Sequence, residues 1–299
     1  MAKDRVPEID KLYEEVLDYR RTADFKDLLE FVARFRHVAP YNAMLIHIQK
    51  PGSTYVASAS DWEERFNRRV KAGARPLLIL RPFGPVSFVF EYNDTEGAPL
   101  PDRLVKPFRV NNPVEMSQLR RVIRAAELEG INIGQQPYGT SMGGQLEYCK
   151  DFSTLVLEHG SKRYTMKSNY SIVINRENTT AEQFNTMLHE LGHYFCGHLN
   201  YNKLKWIPKR TGLSKEEVEF EAETVCWLVC QRLGIESVSV RYLSGYLMSN
   251  EFIPDVSVDA ILKAAGAVET MLNGEIKPRK DLILKEVDLS GQLSMFDSI

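Results

Sequence analysis

The chain has 299 residues, of which 43% are hydrophobic and 26% are charged, and its formal net charge is −2. These proportions are ordinary for a soluble globular protein, and the length leaves room for two domains with their own cores. The sequence holds no apolar run of about 18 residues or more, and its charged N-terminus lacks the apolar segment of a signal peptide. We therefore expect a cytoplasmic protein with no membrane partner.

The first third of the chain has the pattern of helices followed by a β-hairpin. In chain order the predicted elements are two helices within 8–36, a helix after Pro40, a helical turn at 61–66, and strands at 77–80 and 86–92. Four prolines follow between residues 97 and 113. Because proline clusters are typical of linkers, we expect a domain boundary near residue 110.

The rest of the chain has long helical patterns and a few apolar strands. The predicted elements are a helix at 114–129, a glycine-rich loop at 138–144, strands at 154–157 and 164–174, and helices that begin near 180 and span 216–234, 238–249 and 256–273. A strand that leads directly into the helix near residue 180 is the usual arrangement of zinc peptidases, where the strand edge can hold an extended substrate.

Three of the six histidines lie between His189 and His198. His189 and His193 enclose Glu190 in an H-E-x-x-H pattern, and two histidines four residues apart on a helix can share one tetrahedral Zn²⁺. Glu190 lies beside the ion, where its carboxylate can take a proton from the attacking water. The pattern has only three fixed positions and also occurs by chance. Its context supports a helix here, because Thr179 and Glu182 form a capping box.

A zinc site of this kind needs a third protein ligand. His198 does not have the spacing of the third histidine in the longer H-E-x-x-H-x-x-G-x-x-H pattern. We therefore expect it at the helix end or beside a ligand. Glu219, on the later helix, is the favoured third ligand. Glu223, four residues on, is expected to accept a hydrogen bond from a ligating histidine, and it stays open as the substitute ligand. Glu221 should face solvent.

Residues 31–90 carry nine Lys or Arg side chains and three acidic ones, although the whole chain is slightly acidic. A local excess of cations is typical of phosphate-binding surfaces, and aromatic rings among them can stack on bases. The candidate DNA-binding residues are Arg65, Arg68, Arg69, Lys71, Trp62 and Tyr41. The alternative is that the cations form a solvated face and that the rings belong to the core.

Both halves of the chain resemble one known family. The segments Tyr41–Pro51, Ala59–Trp62 and Val70–Gly73 resemble the single-stranded-DNA-binding domain of ArdC-type antirestriction proteins. His189–His193 and Glu219–Glu223 are similar to the ImmA/IrrE-like zinc-peptidase domain of that family. The sequence departs from the family at residues 74–76, where a lysine-glycine pair is expected, and residues 102–160 do not fit its pattern.

The elements and the resemblance together predict an α+β fold. A small N-terminal helix-plus-hairpin domain, residues 1–110, would bind single-stranded DNA. A mostly helical, gluzincin-like metallopeptidase domain with a small sheet, residues 111–275, would hold Zn²⁺ and cleave a DNA-associated, repressor or defence protein. The alternative is a non-catalytic single-stranded-DNA-binding antirestriction protein whose zinc is structural. Such proteins often belong to mobile elements.

The last segment, residues 276–299, is expected to be a tail with a short binding motif. The segment 292–296 resembles the pentapeptide with which bacterial proteins bind the sliding clamp, through Gln292, Leu293, Met295 and Phe296. The apolar side chains would fill a pocket, and the glutamine would add a directional hydrogen bond. The alternative is that the tail packs on its own domain.

Overall fold

The computed structural model describes residues 21–81, 84–101, 104, 113–138, 143–199, 207–235, 243, 246–274 and 276–289. Within these ranges the helices are α1 (Thr22–Arg34), α2 (Pro40–Gln49), α3 (Ala59–Phe66), α4 (Met116–Leu128), α5 (Thr180–Cys196), α6 (Lys215–Leu233) and α7 (Val258–Leu272). The strands are β1 (Val56–Ala57), β2 (Arg68–Val70), β3 (Leu77–Arg81), β4 (Gly84–Glu91), β5 (Thr95–Gly97), β6 (Ile131–Gln136), β7 (Gly144–His159), β8 (Lys162–Asn175) and β9 (Ile283–Asp288). The mixed α+β class expected from the sequence is confirmed.

The predicted helices that correspond to α1, α2 and α3 form, as does the hairpin, and amide side chains hold α2 against the hairpin. Strands β3 and β4 are antiparallel, and β1 extends their sheet on the β4 side. Gln49 of α2 both donates to and accepts from the backbone of Leu78, at 2.8 Å each, and Asn42 does the same with Leu80. The two amides therefore occupy hydrogen-bonding groups on the outer edge of β3 that a further strand would otherwise use.

The sheet of the second half is larger than the small sheet that the sequence predicts. Strand β8 lies at its centre, and β7 pairs with it in antiparallel fashion along most of its length. On the other side of β8, strand β6 is parallel and β9 is antiparallel. The predicted strand at 154–157 is only the end of β7, and β6 and β9 were not predicted. Because β9 completes this sheet, residues 283–288 are part of the fold rather than of a tail.

The main hydrophobic core extends across the predicted boundary near residue 110. It contains buried residues of α1 and α2 together with those of α4, α5, α6 and α7. Phe25 of α1 lies 5.7 Å from Phe220 of α6, measured between ring centroids. The first two helices therefore pack on the helices of the second half. The division of activities between the two segments stays a prediction.

Four further predicted helices are present in the structure. The helix predicted at 114–129 is α4, the one near 180 is α5, the one at 216–234 is α6 and the one at 256–273 is α7. The first predicted helix, most of the helix at 238–249 and most of the glycine-rich loop lie outside the described residues. No helix in the described ranges has both the length and the apolar character that a membrane crossing needs.

Candidate metal centre

Helix α5 carries the H-E-x-x-H pattern, and local sequence fixes both of its ends. The Thr179 side chain accepts a hydrogen bond from the Glu182 backbone, and the Glu182 carboxylate accepts one from the Thr179 backbone, so the predicted capping box is confirmed. At the other end, Gly197 adopts a left-handed conformation with φ of 78°. A side chain there would collide with the carbonyl oxygen of Pro208, so the position also requires glycine for space.

Helix α6 brings the glutamates to α5 through one close contact. It begins with a second capping box, formed by Ser214 and Glu217, and ends before Gly234, which adopts a left-handed conformation. Gly192 of α5 faces Ala222 of α6, and a Cβ atom on Gly192 would lie 3.0 Å from the Cα atom of Ala222. Because Gly192 has no side chain, the backbones of α5 and α6 can come close together at Gly192 and Ala222. These two residues lie near His193 and Glu219 in the sequence.

The structure brings the three predicted ligands together. The Nε2 atoms of His189 and His193 are 3.0 Å apart, and Oε2 of Glu219 lies 3.4 Å from the first and 3.8 Å from the second. Ligands about 2.1 Å from a tetrahedral ion are separated by about 3.4 Å, so the observed distances bracket the spacing of a zinc site. Two imidazoles and a carboxylate are also a donor set of catalytic zinc sites. The residues present therefore fit the ion.

In the metal-free protein, the two histidines carry their proton unequally. Burial acts to lower the pKa of His189, but the hydrogen bond to Glu219 and the charges of Glu223 and Glu190 raise it to about 9. Burial, together with the electrostatic effects of the neighbouring His189 and His198 rings, lowers the pKa of His193 to about 3. We therefore expect the additional proton of the pair to lie on His189 rather than on His193, and a bound cation to displace it.

Glu190 is turned toward strand β7. It is only 8% exposed, and its Oε2 accepts a 2.8 Å hydrogen bond from the backbone N–H of Leu146. Among the described strands, β7 pairs only with β8, and the Leu146 N–H lies on its other edge. Burial raises the pKa of Glu190, against the opposing effects of His189 and of the Leu146 N–H. A raised pKa suits a carboxylate that must accept a proton and release it again.

Glu223 and His198 lie behind the two histidines, as the spacing predicts. Oε1 of Glu223 is 3.5 Å from Nδ1 of His189, on the opposite side of the ring from Glu219. Nδ1 of His198 is 2.8 Å from Nδ1 of His193. Each ring therefore has a polar neighbour on the nitrogen that points away from the candidate ion position, which is the usual way in which proteins orient a ligating histidine.

The expectation for Glu221 is wrong, because this carboxylate is completely buried. It pairs with Arg210, lies 2.8 Å from Nε2 of His198, and accepts a 2.7 Å hydrogen bond from the backbone of Ser257. Its position on α6, away from the side that carries Glu219 and Glu223, predicts a carboxylate in solvent. The spacing of Glu221, Val225 and Leu228, at i, i+4 and i+7, was the available signal for a buried stripe.

Two of the aromatic residues predicted to stack on DNA lie in the core. Trp62 is 0% exposed, and its indole N–H donates a 2.8 Å hydrogen bond to the carbonyl of Phe90. Tyr41 is 8% exposed and lies beneath the ammonium group of Lys263, 5.3 Å from the ring centroid. The prediction of base stacking is therefore wrong for both rings, because other parts of the protein already cover them.

Arg68 is also buried, which excludes it from a phosphate-binding surface. Its guanidinium group donates to the Thr95 hydroxyl at 2.8 Å, to the Thr95 carbonyl at 2.9 Å and to the Gly97 carbonyl at 3.2 Å. The group also lies 4.3 Å from the ring centroid of Tyr92. The prediction that Arg68 contacts DNA is wrong, since its donors hold β5 against β2.

The other three candidate cations remain at the surface. The side chains of Arg65 and Arg69 are 65% and 81% exposed, and their nearest acidic partners are exposed residues at 3.6 and 3.8 Å. Lys71 donates a 2.9 Å hydrogen bond to the Asn93 carbonyl. Exposed contacts of this kind contribute little to stability, so these cations can engage other anions.

Some predicted residues cannot be placed in the site. On sequence grounds, Tyr201, Tyr242 and Tyr246 are candidates for stabilising a developing oxyanion. Tyr201 and Tyr242 lie outside the described residues, as do Gln292, Leu293, Met295 and Phe296. Tyr246 is described, and its hydroxyl donates a 3.0 Å hydrogen bond to Glu216 at the start of α6. No sequence pattern indicated the roles of the Leu146 backbone N–H and of Arg210.

A family comparison bears on the segment that carries His189, His193 and Glu219. Residues 151–235 match the model of the family described as IrrE N-terminal-like domain, Peptidase_M78. This range runs from β7 to the end of α6 and contains all three candidate ligands. The IrrE/ImmA-like domain expected from the sequence is confirmed for this segment.

The similar proteins share little sequence identity with this chain. An uncharacterized protein of Bacillus anthracis is 21% identical over 303 residues, which cover 85% of this chain and 48% of that protein. The chain thus spans about half the length of this curated relative. Two crystal structures of the antirestriction protein ArdC from plasmid R388, one Mn(II)-bound and one metal-free, are 15% and 14% identical. Each match covers 78% of this chain and 81% of that chain, with TM-scores of 0.35 and 0.33.

Proposed function

We propose that the protein is a zinc-dependent metallopeptidase whose N-terminal segment binds single-stranded DNA. The observation that carries the proposal is the convergence of His189, His193 and Glu219 at the spacing of a tetrahedral ion, with Glu190 beside them. A bound Zn²⁺ would supply a Lewis acid at this position. Cytoplasmic location, and a DNA-associated, repressor or defence protein as the substrate, belong to the same proposal.

In the proposed peptidase, Glu190 would transfer protons and strand β7 would bind the substrate. Glu190 would take the proton of the attacking water and pass it to the leaving amine, which its raised pKa favours. An extended substrate chain would lie along the edge of β7 that does not pair with β8. Its backbone would hydrogen-bond to β7 and add a strand to the sheet. Because the Leu146 N–H already donates to Glu190 on this edge, substrate and general base would meet at one point of the strand.

The experiment compares metal content and peptide cleavage in single variants. We expect His189→Ala to lose bound zinc, and Glu190→Gln to keep zinc but to lower the cleavage of a fluorescence-quenched peptide library by about a hundredfold or more. Glu147→Gln is the matched control, since it removes an exposed carboxylate from the same stretch of β7. Wild-type cleavage by Glu190→Gln would refute the enzymatic role.

A second candidate is a non-catalytic single-stranded-DNA-binding antirestriction protein with a structural metal. It is favoured by the exposed cations Arg65, Arg69 and Lys71, which lie on α3, on β2 and directly after β2. We expect Arg69→Ala with Lys71→Ala to weaken single-strand binding and to reduce its salt dependence, whereas Lys285→Ala on β9 should change neither. If the wild-type protein cleaves no peptide and Glu190→Gln leaves every cellular phenotype intact, this candidate replaces the peptidase.

The C-terminal motif indicates a protein partner for either candidate. We propose that Gln292, Leu293, Met295 and Phe296 bind the bacterial sliding clamp, on the strength of the sequence resemblance alone. Phe296→Ala should remove the aromatic anchor of this peptide. A pull-down with purified clamp that this substitution leaves unchanged would contradict the assignment.

A further inference from the structure

A chain of buried polar side chains leads away from the candidate metal position. It starts at Nδ1 of His193, passes through His198 by two contacts of 2.8 Å, and reaches the carboxylate of Glu221. Arg210 closes the chain on the far side of Glu221. The side chains of His198 and Glu221 are only 3% and 0% exposed, so the contacts do not compete with bulk water.

The same cluster, with Cys196, has the residue types of a second metal site, but its atoms are already committed. Oε1 of Glu221 accepts 2.7 Å hydrogen bonds from Arg210 and from the Ser257 backbone, while Oε2 contacts His198 and Arg210. Burial raises the pKa of the Cys196 thiol, which therefore stays protonated and is a poor ligand. A second cation would also have to displace the guanidinium group of Arg210.

The contacts allow only one proton arrangement in which His193 can bind a metal. Its Nε2 must offer a lone pair, so its proton must lie on Nδ1 and donate to Nδ1 of His198. His198 must then carry its own proton on Nε2, which donates to Glu221. In the opposite arrangement, in which Nδ1 of His198 donates, the neutral His193 ring carries its proton on Nε2 and has no lone pair for the ion.

We propose that His198, Glu221 and Arg210 are positioning residues that fix the tautomer and ring orientation of His193 for metal binding. Glu221 favours a protonated Nε2 on His198, because a carboxylate only accepts, and this leaves Nδ1 of His198 as an acceptor for His193. Arg210 keeps the buried carboxylate charged by pairing with both of its oxygens. The proposal rests on the proposed zinc site.

The fold holds this chain of residues from four directions. His193 belongs to α5, and His198 directly follows it, while Glu221 belongs to α6. Arg210 comes from the segment that packs on Gly197, and the Ser257 N–H comes from the start of α7. Because four separate parts of the backbone meet here, the orientation of His193 does not depend on its own helix alone.

The test compares two substitutions of His198 that differ in polarity and not greatly in size. A glutamine amide can accept from His193 through its oxygen and donate to Glu221 through its nitrogen, whereas leucine can do neither. We expect His198→Leu to lower zinc affinity about 10–100-fold, as is typical when an outer hydrogen-bond partner of a ligand is lost. His198→Gln should retain wild-type affinity, measured by competition with a chromophoric chelator.

The unfolding of the metal-free proteins separates positioning from simple stability. Glu269→Gln is the matched control for Glu221→Gln, because it weakens another buried ion pair of α6, that of Arg232. Both should lower the free energy of unfolding, but only Glu221→Gln should also weaken zinc binding. Equal zinc affinities for His198→Leu and His198→Gln would overturn the positioning role.

Wild-type protein provides a second readout in case the leucine variant fails to fold. In the zinc-loaded protein, long-range ¹H–¹⁵N spectra of the histidine rings should show His193 protonated on Nδ1 and His198 protonated on Nε2. The reverse assignment for either ring would overturn the inference. A wild-type protein that binds no zinc refutes the proposed function itself, whereas zinc binding with the wrong tautomers refutes only the positioning role.

Discussion

At the scale of single residues, Gly192 determines how closely the two ligand-bearing helices approach. A Cβ atom at this position would lie 3.0 Å from the Cα atom and 3.1 Å from the carbonyl oxygen of Ala222. Both are backbone atoms of α6, so they can move only if the helix moves. The carboxylate of Glu219 reaches the histidines because this space is kept free.

We expect Gly192→Ala to weaken zinc binding by moving α6 away from α5. Alanine normally stabilises a helix by about 1 kcal/mol relative to glycine, and the crowding against Ala222 should remove that gain. Gly266→Ala in α7 is the control, because its Cβ atom would meet only the Pro40 ring, at an ordinary 3.7 Å. That variant should unfold at a higher temperature and keep wild-type zinc affinity. Equal behaviour of the two variants would contradict the role of Gly192.

Helical spacing was enough to group His189 with His193 and Glu219 with Glu223, because each pair lies four residues apart on one helix. It did not predict the burial of Arg68, Trp62 and Glu221. Their partners lie elsewhere in the chain: the Thr95 carbonyl is 27 positions from Arg68, and the Phe90 carbonyl is 28 positions from Trp62. A sequence does not distinguish a cation that faces phosphate from one that faces carbonyl groups of its own backbone.

At the scale of elements, strand β7 connects the sheet to the candidate site. Only 154–157 were predicted, because most of its side chains are exposed and the strand lacks the apolar alternation of a half-buried one. Strand β6 was missed for a related reason: Ile131–Gln136 contains asparagine, glycine and glutamine, and it forms a strand by pairing with β8. Sheet pairing between distant segments therefore decided what local pattern could not.

The hydrogen bond between Leu146 and Glu190 should be measurable by amide exchange. The Leu146 N–H points away from β8, yet we expect it to exchange slowly, because Glu190 accepts it. Glu190→Ala should accelerate exchange at Leu146, while Gln145 and Glu147, whose N–H groups face β8 by the alternation of an antiparallel ladder, should serve as controls. Unchanged exchange at Leu146, followed by NMR, would show that Glu190 does not hold the strand edge.

At the scale of the whole molecule, Arg232 joins the two halves of the chain. From α6, its buried guanidinium group donates to the carbonyl oxygens of Val32 at 2.7 Å, Phe35 at 3.1 Å and Val38 at 2.8 Å. It also pairs with Glu269 of α7. The proline-rich stretch that predicted a domain boundary does not prevent this contact, since a linker shows where the chain is irregular and not which helices pack together.

Loss of Arg232 should therefore destabilise both halves at once. We expect Arg232→Leu to lower the free energy of unfolding by about 3–5 kcal/mol, because three carbonyl groups and Glu269 lose a buried donor. In urea, the fluorescence of Trp62 and of Trp227, isolated by Trp→Phe substitution of the other tryptophans, should change in one shared transition. Arg163→Ala, which removes an exposed ion pair, should cost no more than about 0.5 kcal/mol. Two separate transitions would show that the halves unfold independently.

The contact between Arg232 and Val32 also has a consequence for synthesis of the protein. The two residues are 200 positions apart, and a ribosome that adds about 5–20 residues per second needs roughly 10–40 s to cover that distance. During this time the apolar side of α1, with Phe25, Leu28 and Phe31, has no α6 or α7 to pack against. The nascent chain therefore presents an amphipathic helix to chaperones before its own partner helices exist.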